Sequence, residues 1–99
     1  MITVHAYLHT RPEHREAYRE GLRALQAATL EHDTGCLAYH FWQSIDDPDA
    51  FVCVEAWTDM AALNAHLDAP HHIALSAVLD AHRSRPADVQ VFESTPISL

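Results

Sequence analysis

An acidic residue, an indole and several imidazoles are concentrated in the second half of this 99-residue sequence. Glu55 and Trp57 are two residues apart in a segment that reads as a β-strand, so their side chains should point to the same face. The helix predicted after Asp59 should pack over that face and bring His66 and His71 towards the carboxylate. A buried carboxylate beside an imidazole is a workable proton-transfer unit, and an indole offers a flat wall to an aromatic ligand. This segment is therefore the candidate functional site.

The same residues also have a purely structural explanation. Trp57, like Phe51 in the same strand, is of a type that usually packs in a core. Glu55 could serve only to neutralise His66 or to cap a helix, because ion-pair networks shift pKa values without any catalysis. The spacing by itself leaves the catalytic and the structural interpretations open.

The nine histidines do not show the spacing of a metal site. His71 and His72 are adjacent and so diverge on a helix, while His66 and His71 are five residues apart, not the three or four that align two ligands. We therefore predict no bound metal. Only two glycines occur, Gly21 and Gly35, so the glycine-rich G-x-G-x-x-G motif of nucleotide cofactors is impossible.

The composition is that of one ordinary globular domain, predicted to span residues 1–99, with 48% apolar and 20% charged residues. Fourteen acidic residues against six arginines leave a net charge of −8, which repels phosphate backbones and anionic membranes, so neither is an expected partner. The start of the chain lacks a signal-peptide pattern and no apolar run reaches the length of a membrane span, so we expect a cytoplasmic location. Cys36 and Cys53 have no zinc spacing, and each is expected to pack as a small hydrophobe.

The segments that must position the site follow the order βαββαβ. Ile2–His9 alternates between two faces, as a strand does, and the apolar positions from Pro12 to about Glu31 follow helical spacing. Thr10–Glu13 has the pattern of a capping box at the start of that helix. The remaining predicted elements are strands at Cys36–Ser44 and Phe51–Trp57, a helix from Asp59 to just before Pro70, a helical stretch through Ile73–Leu79, and a strand at Val89–Phe92.

This order predicts an α+β, ferredoxin-like fold in which helices cover one face of an antiparallel sheet. Because the strands look apolar on both faces, the uncovered face should be buried by the sheet of a second copy. The loop at Asp46–Asp49 leaves the register of the central hairpin open by one residue. A slip of one residue decides whether Tyr39 and Phe41, or His40 and Trp42, face the pocket.

Two motifs extend this interpretation to a family. The run E-x-W-x-D-x-x-A-L-x-x-H-L-x-x-P-H at Glu55–His71, with E-x-x-x-G-C-x-x-Y at Glu31–Tyr39, resembles the antibiotic biosynthesis monooxygenase family. The chain is especially similar to its small quinol-monooxygenase-like members, and the likeness covers about residues 2–93.

The resemblance implies a homodimer whose sheets pack face to face as an α+β barrel, each subunit keeping its own pocket. It implies oxidation of a small quinol or anthrone with O₂, without metal or flavin, because an electron-rich phenolate can itself pass an electron to O₂. In that scheme Glu55 and His66 are the base system, Trp57 is the aromatic wall and His71 is a polar contact at the rim of the pocket.

Other functions on this scaffold stay open. The haem-degrading branch is disfavoured, since its strand-one asparagine corresponds to Leu8 and its iron-ligating histidine lies near Ser76. A related isomerase of a signalling sugar derivative shares the fold and a similar Glu/His pocket. A non-catalytic dimeric module would have its pocket filled by side chains, so a cavity of a few hundred cubic ångströms beside Glu55 and His66 favours a ligand-binding function.

Overall fold

The computed structural model describes all residues from Met1 to Leu99. It contains strands β1 (Ile2–His9), β2 (Cys36–Gln43), β3 (Ala50–Trp57) and β4 (Asp88–Glu93), and helices α1 (Arg15–His32), α2 (Met60–Asp68) and α3 (Pro70–Asp80). The strands form one antiparallel sheet in the order β2-β3-β1-β4. The predicted βαββαβ order and ferredoxin-like α+β fold are confirmed. None of the helices combines the length and the hydrophobicity that crossing a bilayer requires.

The helices bury one face of the sheet along β1 and β3, whereas every residue of the edge strand β4 is exposed. Alternation in the sequence predicted that every second side chain of β1 shares one face. These side chains are at most 8% exposed: Ile2, Val4, Ala6 and Leu8. Helix α1 packs on this face through its buried side chains, Tyr18, Leu22, Leu25 and Thr29. Strand β3 pairs with β1 along its whole length, so its inward side chains lie under the helices as well.

The predicted capping box at the start of α1 is wrong. Thr10 is buried, forms an isolated β-bridge with Arg83, and its hydroxyl donates to the carbonyl of His82 at 3.2 Å. Residues Pro12–His14 form a single 3-10 turn, and α1 begins only at Arg15. The Thr10 hydroxyl is therefore used to hold the chain after α3 and not to cap a helix.

The register of the central hairpin brings Tyr39 opposite Glu55 and Phe41 opposite Cys53. An irregularity between Cys36 and Ala38 shifts the pairing of β2 at its first residues. Since directly paired residues of antiparallel strands point to the same face, Tyr39 and Phe41 face the helices and His40 and Trp42 face the other way.

Gly35 makes the turn from α1 into β2. Its φ of +79° lies in the left-handed region, and a Cβ there would lie 2.7 Å from Oγ1 of Thr58 and 2.8 Å from Cβ of Ala62. Gly35→Ala should therefore lower the free energy of unfolding by ~2–4 kcal/mol, through backbone strain and a clash. Urea unfolding of the two proteins measures this difference.

Gly21→Ala is the matched control for that substitution. A Cβ at Gly21 would lie 2.7 Å from Cδ2 of the buried Leu79, so that side chain must shift, but the backbone is helical and unstrained and alanine gains roughly 1 kcal/mol of helix propensity there. If Gly35→Ala lowers the free energy of unfolding by no more than Gly21→Ala does, the backbone strain inferred at Gly35 is contradicted.

The second face of the sheet carries no helix. Large side chains on it are exposed in the single chain, among them Tyr7 at 40%, Trp42 at 61% and Phe92 at 43%. His5 and His40 lie on the same face, at positions paired with Val54. This face therefore combines exposed aromatic side chains with imidazoles and with the small apolar side chains of β3.

Candidate active site

A cavity of about 290 Å³ lies between the covered face of the sheet and the helices. Most of the side chains that line it are apolar, including Val4, Leu25, Leu63, Val89 and Val91. Its polar lining comes from a smaller set: Tyr39, Glu55, His66, His72, Ser76, Asp80 and Arg83. The space is not filled by side chains, and its volume suits a ligand of one or two rings.

Glu55 contributes the buried carboxyl group of this cavity. It lies on β3, is 6% exposed, and its Oε1 accepts a hydrogen bond from Nε1 of Trp57 at 3.1 Å. Burial in apolar surroundings raises its pKa to about 7, and the hydrogen bond from Trp57 opposes that rise. The carboxyl group is therefore poised to lose and regain a proton near neutral pH.

His66 lies on α2, lines the same cavity and is 2% exposed. Its Nδ1 lies 2.5 Å from Oδ2 of Asp33, which places the ring proton on Nδ1 and leaves Nε2 as an acceptor. Burial lowers the pKa of His66, and the carboxylate of Asp33 opposes that effect. The imidazole is therefore neutral at pH 7, with a defined tautomer.

Asp33 is a site residue that the sequence interpretation missed. It follows the last residue of α1, and its side chain is 7% exposed. Its second oxygen, Oδ1, lies 2.8 Å from Nε2 of His71, although the direction is not that of a hydrogen bond. One signal was available, because an acid at a helix C-terminus is electrostatically unfavourable and so calls for a cationic or hydrogen-bonding partner elsewhere.

The structure brings Glu55 and His66 to one cavity but gives them different partners. The carboxylate that orients the imidazole is Asp33, whereas Glu55 is bonded to Trp57. The carboxylate beside the imidazole is therefore Asp33 and not Glu55, which corrects the expected pairing of Glu55 with His66.

The expected positions of Trp57 and His71 are also corrected, since neither lines the cavity. Trp57 is fully buried, and its ring centroid lies 4.7 Å from that of His66. It sits behind the wall, where it supports Glu55 through its N–H and His66 through its ring. His71 lies on the far side of Asp33, because Ala69 and Pro70 break the helix and place it in the first turn of α3.

Tyr39, whose direction the sequence left open, faces the cavity and is 2% exposed. Its ring lies 5.2 Å from that of His66, and burial raises the pKa of its hydroxyl far above the ordinary value. The hydroxyl thus stays protonated. Burial also raises the pKa of the Cys53 thiol, which fits the predicted packing role of this unpaired cysteine.

Asp33, His66 and His71 are also the one group of side chains whose donor atoms come close enough to hold a metal ion, all within 4.8 Å. The prediction of no metal site used the sequence separation of the two histidines and did not foresee the helix break between them. The 2.5 Å contact between Asp33 and His66 is, however, a charge-assisted hydrogen bond. Two ligands on one tetrahedral zinc lie about 3.4 Å apart, so we assign Asp33 an orienting role.

The chain also resembles proteins of known sequence and structure. A family model described as "Antibiotic biosynthesis monooxygenase" matches residues 1–78. The chain is 34% identical over 86 residues to the "Probable quinol monooxygenase YgiN" of Escherichia coli (strain K12), which covers 77% of this chain and 82% of that protein. It is 28% identical over 89 residues to YcnE of Bacillus subtilis (strain 168), also named as a monooxygenase, with 90% of this chain and 93% of YcnE covered.

Solved structures agree in fold. One titled "Crystal structure of antibiotic biosynthesis monooxygenase" superposes with a TM-score of 0.90 at 30% identity, over 97% of this chain and all of that one. Rv0793 from Mycobacterium tuberculosis superposes with a TM-score of 0.89 at 28% identity, over 99% of this chain and 98% of that one. The family match covers more than half of the chain and includes Glu55, Trp57, His66 and His71. This chain belongs to the antibiotic biosynthesis monooxygenase family.

Proposed function

We propose that this protein is a cofactor-independent monooxygenase that oxidises a small quinol, polyphenol or anthrone with O₂. The observation that carries the proposal is Glu55, a carboxyl group whose pKa is raised to about 7 and which lines a mostly apolar cavity. Such a group can remove a phenolic proton at neutral pH and return it later in the same cycle. The monooxygenase names of the relatives YgiN and YcnE support the same reaction class.

The reaction can be written for a quinol with a free ring position. Glu55 takes a hydroxyl proton, and the resulting quinolate passes one electron to O₂, which gives a semiquinone and superoxide. These radicals combine at the ring carbon, and the protonated Glu55 returns its proton to form a hydroperoxide. Loss of the ring C–H proton and cleavage of the O–O bond release water and leave a hydroxyquinone. One oxygen atom enters the product, the other leaves as water, and the carboxylate is restored.

The other lining residues hold and orient the ligand. Nε2 of His66 makes no hydrogen bond within the protein, and the Tyr39 hydroxyl is protonated, so the two offer an acceptor and a donor to ligand oxygens. The mostly apolar lining offers few hydrogen-bonding groups to water beside the radical pair and the hydroperoxide. Asp33 and Trp57 act as positioning residues, because each holds a side chain that lines the cavity.

Menadiol and isotopically labelled oxygen test this function. The protein should raise the rate of O₂ uptake above the autoxidation of menadiol, and ¹⁸O₂ should place a single labelled oxygen atom in the hydroxyquinone product. A rate equal to background would remove the proposal. So would unlabelled menadione formed with hydrogen peroxide, since that outcome describes an oxidase.

An isomerase on the same scaffold is the second candidate. It is favoured by the same near-neutral pKa of Glu55, since a carboxyl group that both accepts and donates a proton can move hydrogen between two carbons. Oxygen uptake separates the two functions, because isomerisation consumes none.

Self-association through the uncovered face of the sheet completes the proposal. Tyr7, Trp42 and Phe92 leave a large apolar surface there, which a second copy would bury. We expect the protein to sediment at twice the chain mass of 11.1 kDa. Trp42→Arg should weaken this association at least about tenfold, because it places a charge in the buried interface. Leu30→Arg, at an exposed position of α1, is the control and should leave the mass unchanged. A monomeric wild-type chain at micromolar concentration would overturn this expectation.

A further inference from the structure

The cavity beside Glu55 extends along β1 towards a charged mouth. Glu55 is paired with Val4 in the sheet, whereas Arg83 bridges to Thr10 just beyond the other end of the strand. Val4 and Thr10 are six positions apart in the sequence, which corresponds to about 20 Å of extended chain. Glu55 and Arg83 nevertheless line the same cavity, so the space between them runs along much of the strand.

The guanidinium of Arg83 is held in place at this mouth. Its Nε donates to the hydroxyl of the buried Tyr18 at 3.1 Å, and its Nη1 donates to Oδ1 of Asp80 at 2.5 Å. A guanidinium has five N–H donors, so these two bonds leave donors free for a ligand. The side chain is 17% exposed, which makes it a fixed and mostly covered cation.

A second depression, of about 400 Å³, adjoins the mouth. It shares Asp80, Arg83 and Ala87 with the cavity, and Arg85 lies in its wall. Arg85 is exposed and forms no ion pair, in contrast to the arginines along α1, each of which contacts an acid. Two guanidiniums against one carboxylate therefore form a positive patch on a chain whose net charge is −8.

We propose that this mouth binds an anionic substituent of the substrate, a carboxylate by preference, while the ring lies beside Glu55. A planar guanidinium binds a carboxylate through two parallel hydrogen bonds. Because Asp80 neutralises the charge of Arg83, the net positive charge of the mouth comes from Arg85, which has no ion-pair partner. The length of the cavity requires a spacer of a few bonds between the ring and the acid. The substrate class is thus a hydroxylated aromatic acid. Only the oxidation of its ring rests on the proposed function.

Calorimetry with a redox-inert pair of probes tests the anion site without any turnover. The pair is a naphthalene with a short carboxyalkyl chain and the corresponding primary amide, which has the same shape and no charge. The acid should bind the wild-type protein at least about tenfold more tightly than the amide at low ionic strength, and the preference should shrink as salt is added. Arg85→Gln should reduce the preference to about threefold or less.

Arg23→Gln is the control for loss of a positive charge. Arg23 lies on the exposed part of α1 and lines neither the cavity nor its mouth, so this variant should keep the full preference for the acid. Equal binding of acid and amide to the wild-type protein would overturn the anion site, as would a preference that survives Arg85→Gln unchanged. Because neither probe is oxidised, failure of the monooxygenase proposal shows separately, as absence of O₂ uptake with menadiol.

Discussion

Glu55→Gln is expected to lower kcat/KM for quinol oxidation by about 10²- to 10⁴-fold, the usual contribution of a general base. Glutamine keeps the shape of the side chain and can still accept the hydrogen bond from Trp57 at Oε1, but it cannot take a proton. The substitution therefore tests proton transfer with little disturbance of packing. O₂ uptake with menadiol, corrected for autoxidation, measures the effect.

The pH dependence of the wild-type protein provides the second half of this test. Because the carboxylate is the active form and burial raises its pKa to about 7, kcat/KM should be low below that pH and rise through it. The hydroxyl groups of a quinol ionise in the range of phenols, near 10, so an inflection near 7 belongs to the protein. Glu93→Gln, which removes an exposed carboxyl group on β4, should follow the wild-type profile. A Glu55→Gln variant with wild-type activity would show that Glu55 is not the base.

The raised pKa of Glu55 should also make the free energy of unfolding depend on pH, whether or not a substrate is present. The pKa of Glu55 rises from its ordinary value of 4.5 to about 7 on folding, so the folded chain binds more protons than the unfolded chain between these values. Stability therefore decreases as the pH rises through this window and levels off above it. The loss from this one group is about 3 kcal/mol, because a tenfold change in an acid dissociation constant corresponds to about 1.4 kcal/mol.

Urea unfolding of the wild-type protein and of Glu55→Gln at pH 5 and pH 8 isolates this contribution. Relative to the wild type, the free energy of unfolding of the variant should rise by about 2.5 kcal/mol from pH 5 to pH 8, slightly less than over the full window because the unfolded carboxyl group is already mostly ionised at pH 5. His66, whose pKa is lowered by burial, changes stability in the opposite direction, but it is present in both proteins and its effect cancels in the difference. Protein concentration must be held constant, because association would add to the apparent stability. A difference that does not change with pH would mean that Glu55 is solvated in the native state.

Much of the fold and part of the site could be predicted from local sequence patterns. The period of two in Ile2–His9 identified the side of β1 that is buried, and the alternation around Glu55 placed this carboxyl group on the covered face. The helix after Asp59 likewise carried His66 into the core. These predictions held because the repeat of a strand or helix determines which residues share a face before any partner is known.

The contacts inside the site depend on how distant segments pack. Asp33 meets His66 across 33 residues of chain, and no local pattern pairs them. Tyr39 faces the cavity because the pairing of β2 shifts register near its first residues. A shift of one residue reverses which side chains of a strand face the helices. Trp57 shares a face with Glu55, as predicted, yet the ring of His66 packs beside it, so the indole supports the wall of the cavity without forming it.

Local patterns in the sequence were enough to predict the order of the elements, the buried face of each central strand, and an acid and an imidazole on the covered side. Long-range packing set the rest: which carboxylate orients His66, which aromatic ring borders the cavity, and that a pair of arginines lies at its mouth. Faces follow from the short repeat of the backbone and need no partner. Partners follow from how helices pack across a sheet, where a shift of one residue, or a helix break such as the one at Pro70, changes which side chains meet.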